Sequence, residues 1–342
     1  MAYTTIKKPS DYFNTKLYTG NGTDATGITG VGFQPDWVWI KERSSTSPHK
    51  LLDAVRGATK ELESNTTNAE ATEATSLQSF DSDGFTVGTN GAVNENTQTY
   101  ASWNWLANGT GSANTDGSIS STVSANTTSG FSIVTVSKPN TNVATIGHGL
   151  GVVPAMIIGK NLASGFRWIV YQKTIGNTKA QYLNENFADT TSSTFWNNTS
   201  PTSSVFTIGS DNSWNGTSVF YCFADVQGYS KFSSYVGNGN DDGTFIYTGF
   251  KPAFVMIKAT GLTENWWIMD SKRSPFNIVQ NLLQANLSSA ELVGNVNFKF
   301  DMLSNGFKLR DVDGAYNNSG ATYIYMAFAS EPLVGDNPAT AR

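Results

Sequence analysis

The chain has 342 residues, with 22 Lys and Arg against 27 Asp and Glu, a net charge of −5 with both histidines neutral. No cluster of basic residues provides the electrostatic footprint of a nucleic-acid binder, and no run of about eighteen apolar residues provides a membrane-spanning helix. Charged residues are only 14%, yet 39% hydrophobic and 12% aromatic content supplies the apolar surface that a disordered chain lacks.

Met1 to Ser10 has no apolar core of the secretory-signal type, so synthesis in a cytoplasm is expected. The first long unit opens with Tyr18-Thr19-Gly20-Asn21-Gly22 and turns a Gly/Pro corner, Gly30-Val31-Gly32-Phe33-Gln34-Pro35, into the strand Trp37-Val38-Trp39-Ile40-Lys41. Alternate residues of that strand are apolar on both faces, which predicts cover on two sides, one of them from a neighbouring subunit. Asp53-Ala54-Val55-Arg56 follows, and the window Leu51 to Leu62 reads as a helix or short turn. Phe80-Asp81-Ser82-Asp83-Gly84-Phe85 and the aromatic strand Tyr100-Ala101-Ser102-Trp103-Asn104-Trp105 close the unit. Asn108 to Ser118 carries no apolar side chain larger than alanine and reads as a linker.

The same phrases return twice. The second copy, Gly149-Leu150-Gly151-Val152-Val153-Pro154-Ala155-Met156-Ile157-Ile158-Gly159-Lys160, is the weaker one, and its unit ends on Val219-Phe220-Tyr221-Cys222-Phe223-Ala224. Cys222 falls inside that strand and reads as a small core residue. The third unit has Tyr235-Val236-Gly237-Asn238-Gly239, then Gly249-Phe250-Lys251-Pro252 leading into Ala253-Phe254-Val255-Met256-Ile257-Lys258. Asp270-Ser271-Lys272-Arg273 follows its proline at the interval found in the first unit. A helix or turn over Asn277 to Leu292, the block Phe300 to Phe307 containing Gly306, and the strand Thr322 to Phe328 complete it. Short strands separated by Gly, Asn, Asp and Ser clusters predict an all-β protein of three tandem β-sandwich, jelly-roll-like domains, with short helices or turns in loops. The expected boundaries are residues 1–106, a linker at 107–129, then 130–228, 229–331 and a mobile tail at 332–342.

Chemistry is sparse in this pattern. Only His49 and His148 are present, with no Gly-x-Ser-x-Gly elbow, so neither nucleophilic catalysis nor a closed zinc site is expected. Among the acids Asp53, Asp81, Asp83, Asp270 and Asp301, the recurrent ones fall in different domains, beyond the roughly 5–9.5 Å that glycoside hydrolysis needs. Asp53 with Arg56, and Asp270 with Arg273, read as ion pairs or turn caps within their domains. Pro35, Pro154, Pro252, Gly84 and Gly306 read as structural positions. The Asp/Asn-Gly strings at 81–84, 238–243 and 311–314 suit β-turns better than calcium loops. No cofactor is expected. Trp196, Trp214, Trp266 and Trp267 lie beside polar stretches, where an indole face can stack on a sugar or plug the core.

The repeated openings at Tyr18 and Tyr235, the Gly-Phe-x-Pro strand ending in lysine, and Asp81-Ser82-Asp83-Gly84-Phe85-Thr86-Val87-Gly88 resemble the repeat-bearing virion proteins of marine tailed bacteriophages over most of residues 11–331. The resemblance implies a non-enzymatic structural protein on the particle surface, with no catalytic residues to carry over. Unit two departs from it, lacking the Asp-x-x-Arg and Asp-Gly-Phe motifs. Expected duties are a tail fibre or appendage with a host-receptor, glycan-binding role, with a capsid decoration protein, a polysaccharide depolymerase and a host lectin as alternatives. Expected partners are two further copies in a homotrimer, other virion proteins and a host glycan, with no nucleic acid and no membrane insertion.

Overall fold

The computed structural model describes residues 3–140, 142–163, 165–335 and 338–339. Nearly all regular structure is β, in three β-sandwich units. Unit one contains β1 (Phe13–Thr19), β2 (Thr26–Thr29), β3 (Trp37–Glu42), β4 (Lys50–Asp53), β5 (Lys60–Leu62), β6 (Ala71–Thr72), β7 (Leu77–Asp81), β8 (Gly84–Val87), the single-turn helix α1 (Gly91–Asn94) and β9 (Thr99–Trp105). Its large sheet runs β1-β9-β3-β4-β5-β6, with β2-β8-β7 packed on one face.

Unit two contains β10 (Ser112–Asn114), β11 (Ser121–Asn126), β12 (Phe131–Lys138), β13 (Ala144–Gly147), β14 (Met156–Asn161), β15 (Ile169–Gln172), β16 (Lys179–Tyr182), β17 (Thr190–Thr191), α2 (Ser193–Trp196), β18 (Val205–Ile208) and β19 (Gly216–Phe223). Its sheets are β10-β11-β12-β19-β14-β15-β16-β17 and β13-β18. Unit three contains β20 (Ser230–Val236), β21 (Phe245–Tyr247), β22 (Phe250–Ala259), β23 (Trp267–Asp270), β24 (Leu283–Gln284), β25 (Phe300–Leu303), β26 (Gly306–Leu309), α3 (Gly314–Asn317) and β27 (Thr322–Pro332), in sheets β20-β27-β22-β23-β24 and β21-β26-β25. In each unit the closing aromatic strand lies between the opening strand and the strand of the Gly/Pro phrase.

The repeated glycines answer a steric demand. A Cβ on Gly84 would come within 2.0 Å of the Ile28 carbonyl oxygen, and one on Gly306 within 2.0 Å of that of Ile246, because the neighbouring strand crosses there. Asp83 clasps the first Gly/Pro corner, accepting from Gly30 N at 3.0 Å and Gly32 N at 2.7 Å.

Each large sheet is apolar on both faces, and the two faces bury against different things. Val38 and Ile40 of β3 join Ile28, Leu77, Phe85 and Val87 between the two sheets of unit one. Trp37 and Trp39 point the other way, into a central core that also receives Tyr221 and Phe223 from unit two and Phe254 and Phe328 from unit three. There Trp37 stacks on Tyr221 at 4.2 Å between centroids, and Phe13 on Phe328 at 4.9 Å. The neighbour that covers β3 is therefore a sister unit of the same chain, not a neighbouring subunit.

Three further expectations need correction. Residues 107–129 are not a linker: β10 and β11 extend the sheet of unit two beyond β12, and the Asp36 carboxylate accepts from Ala107 N at 2.7 Å and Gly109 N at 3.1 Å. Ladder hydrogen bonds order the segment where apolar side chains are few. The window Leu51 to Leu62 forms β4 and β5 around a turn, and Asn277 to Leu292 forms β24 and bridges such as Leu282 with Leu292, with no helix in either. Of the expected tail, Pro332 ends β27, while residues 336, 337 and 340–342 lie outside the described residues.

Because Trp37, Trp39, Trp103 and Trp105 are covered only in the assembled trio, a fragment of residues 8–107 should give a collapsed NMR spectrum while the whole chain melts in one calorimetric transition. Trp37→Ala should cost about 3–5 kcal/mol in denaturant unfolding.

Candidate functional site

The richest polar chemistry of the chain lies along the seams between units, and matching residues build it three times. Two residues beyond each repeated lysine, a carbonyl turns toward another unit. Glu70 N donates to Leu162 O at 2.9 Å, Asp189 N to Thr260 O at 2.7 Å, and Glu291 N to Arg43 O at 2.8 Å. Unit one thus grips unit two, two grips three, and three grips one. The ring is closed.

A second ring runs in the opposite sense. His49, Trp168 and Trp266 each stand four residues before the last residue of β4, β15 or β23. Trp168 Nε1 donates to Glu63 O at 2.8 Å and Trp266 Nε1 to Tyr182 O at 2.9 Å. His49 takes the third place, its Nε2 lying 3.0 Å from Gln284 O. Its Nδ1 accepts from Trp39 Nε1 at 2.8 Å, which leaves Nε2 as the protonated nitrogen of a neutral imidazole. Burial, with the nearby Lys41 charge, holds its pKa well below the usual histidine range.

The third set is the repeated Asp-x-x-Arg. Asp53 Oδ1 caps the following turn at Val55 N and Arg56 N, and its Oδ2 accepts from Arg56 Nε at 2.5 Å. The same oxygen accepts from Tyr221 OH of unit two at 2.8 Å, and Arg56 also binds Glu70. Burial opposes the Arg56 charge, but Asp53, Tyr221 and Glu70 outweigh it and raise its pKa above the ordinary value. In unit three Asp270 binds Arg273 and accepts from Trp103 Nε1 of unit one at 3.1 Å. Arg273 sits 5.6 Å from the Trp103 ring centre and pairs with Glu291 at 2.8 Å. At the remaining seam the corresponding residues are Gln172, Ile175 and Met326. Methionine offers no donor, no carboxylate stands opposite it, and Gln172 Nε2 instead donates to Ser233 O at 3.4 Å.

Lys41, Lys160 and Lys258, each one residue before the end of β3, β14 or β22, are fully buried. Their ammonium groups are held by the carbonyl of the last strand residue, such as Asn161 O at 2.8 Å and Ala259 O at 2.8 Å, and by a carbonyl of the loop beyond, such as Ala163 O at 3.4 Å. Burial lowers all three pKa values to about 8.

The tryptophans singled out for sugar stacking are not available for it. Trp196 and Trp214 pack on each other at 5.5 Å in the outer core of unit two, and Trp214 Nε1 donates to Phe195 O. Trp266 belongs to the seam ring, and Trp267 packs on Phe298 at 5.0 Å. All four are at most 8% exposed. Their polar sequence neighbours are turn residues, not an exposed platform.

The acids are likewise engaged apart from one another. Asp81 accepts from Ser79 and Thr86, and Asp301 from Arg310 Nε at 2.6 Å. His148 is buried, its Nε2 3.1 Å from Thr202 O. Burial raises the Cys222 pKa. Among the described residues no three His, Cys, Asp or Glu side chains converge as a metal site requires. Pro35 and Pro154 precede β3 and β14, while Pro252 lies at a register shift within β22. The sequence held one unused clue to the seams: the shared four-residue spacing of His49, Trp168 and Trp266.

Residues 8–332, from just before β1 to the end of β27, match a family described as a domain of unknown function, DUF7483. The chain belongs to this family. The match spans all three units, so the DUF7483 domain corresponds to the closed ring and not to one repeat. No curated protein matches the chain.

Two outcomes test the seams. In a double-mutant cycle, Asp53→Asn and Tyr221→Phe should show coupling of about 1–3 kcal/mol in unfolding free energy. For His49, the unfolded chain binds a proton below pH 6.5 while the folded imidazole stays neutral. Stability should therefore fall with pH from 6.5 toward 5, by about 1.4 kcal/mol per pH unit for this group, and urea titrations of His49→Gln should lack that contribution.

Proposed function

We propose that this chain is a non-catalytic structural protein of a tailed-phage particle, a component of a tail fibre or another surface appendage. The observation that carries the reading is the closed ring. Repeated motifs are spent on holding three units together, through Asp53 with Tyr221 and Asp270 with Trp103. A part whose polar groups are committed to internal seams is suited to bearing load and presenting a fixed surface.

Receptor binding, if this protein performs it, would draw on other residues, since the four tryptophans considered for glycan stacking are buried. A depolymerase would need two carboxylates facing one cleft, whereas Asp53 and Asp270 are neutralised by arginines at different seams.

Gold-labelled antibody against this chain should decorate the tails of purified particles. Labelling over the head lattice in many copies would favour a decoration protein, and particles without the chain would end the virion reading. Release of sugar from host envelope material would overturn the non-catalytic part.

A further inference from the structure

The three units differ at one edge. In unit two the outer edge of β12 is covered by β11, residue against residue from Phe131 opposite Asn126 to Val136 opposite Ser121. In unit three the corresponding strand, β20, has its outward groups largely taken by its own chain. Phe232 N donates to Asp225 Oδ1 at 2.8 Å, Ser230 N to Val226 O at 2.9 Å, and Val236 O accepts from Thr244 Oγ1 at 2.8 Å. The corresponding strand of unit one, β1, is last in its sheet.

The ladder of β1 with β9 is bracketed by Leu106 N donating to Tyr12 O and Gly20 N to Gln98 O. Antiparallel alternation then gives even-numbered residues to β9 and turns the N–H and C=O groups of Phe13, Thr15, Leu17 and Thr19 outward. Among the described residues no hydrogen bond reaches these outward groups. Thr15, 5% exposed, also has a buried Oγ1 without a partner. Beside the first residues of this edge lies a groove of about 540 Å³ between β1 and unit three, lined by Phe13, Asn14 and Thr15 on one side and by Lys272, Phe276 and the ion-paired Lys251 and Glu331 on the other. Phe276 is 79% exposed.

We propose that the β1 edge is a strand-addition site for an extended segment of another polypeptide, one that is uncharged and alternates small polar with β-branched or apolar residues. The chain itself displays the template: Ser121-Thr122-Val123-Ser124-Ala125-Asn126 does this on the matching edge of unit two. A second copy of β1 is a poor occupant, because an antiparallel pair of β1 strands would bring two Lys16 side chains onto one small sheet edge. An uncharged strand pairs its backbone without that repulsion, and an apolar residue on it can reach the exposed Phe276. The inference concerns the open edge and does not rest on a virion role.

The test uses the full chain and a synthetic peptide of residues 119–128 at millimolar concentration, followed by amide hydrogen exchange in NMR. In the chain alone the amides of Thr15, Leu17 and Thr19 should exchange rapidly. With peptide they should slow at least tenfold. Leu17→Pro, or Thr19→Pro if the first variant misfolds, should abolish the slowing at the remaining edge amides while β9 and β12 exchange as in the wild type. Amides already protected in the chain alone, or unaffected by peptide, would overturn the proposal. Slowing that instead tracks chain concentration, with a doubled mass in sedimentation, would assign the edge to a second copy and overturn the heterologous partner.

Discussion

Each large sheet of this protein carries an aromatic face that its own unit cannot cover, and that single deficit organises the molecule. A strand such as Trp37-Val38-Trp39-Ile40 can satisfy Val38 and Ile40 with the small sheet behind it, but its tryptophans need a second surface. Three such faces turned inward supply that surface for one another. Burying large rings is favourable at roughly 25 cal/mol per Å² of apolar area, so the gain is greatest when none of the three faces is left to water. The placement of the seams and the outward position of the loops follow from that arrangement.

Hydrophobic attraction alone does not fix how three greasy faces slide against one another. The polar groups at the rim do. Backbone bonds from Glu70, Asp189 and Glu291 set the spacing of neighbouring units, and the opposite-sense ring of His49, Trp168 and Trp266 prevents rotation without breaking a buried bond. Asp53 with Arg56 and Asp270 with Arg273 are buried ion pairs, whose desolvation offsets much of their Coulombic attraction. Their value lies in the geometric demand they make on Tyr221 and Trp103 across the seam.

The repeats, the all-β class and the identity of the closing strands were legible because they are local: period-two alternation, Gly/Pro corners and equal spacings are written along the chain. The partner surfaces were not. Trp37 and Trp39 announce a covered face without saying what covers it, and the answer, Tyr221, lies far along the sequence. Trp196 and Trp214 could be read as plugging the core or as a sugar platform, and they plug the core, because flanking Asn and Ser describe the turn around a side chain and not its destination. Residues 107–129 misled for the complementary reason: a segment with few apolar groups can be ordered by its backbone when an open strand edge is waiting for it.

Covalent fusion of the trio has an implication for how such a molecule can change. In an assembly of identical subunits any substitution at a contact appears three times, so a donor gained at one junction is forced on the others. Here each junction is free to differ, and they do: carboxylate against phenol, carboxylate against indole, and amide against a backbone carbonyl. A protein of this kind can alter its three junctions one at a time while keeping one shared interior, so its pseudo-threefold arrangement need not be carried through to its contacts.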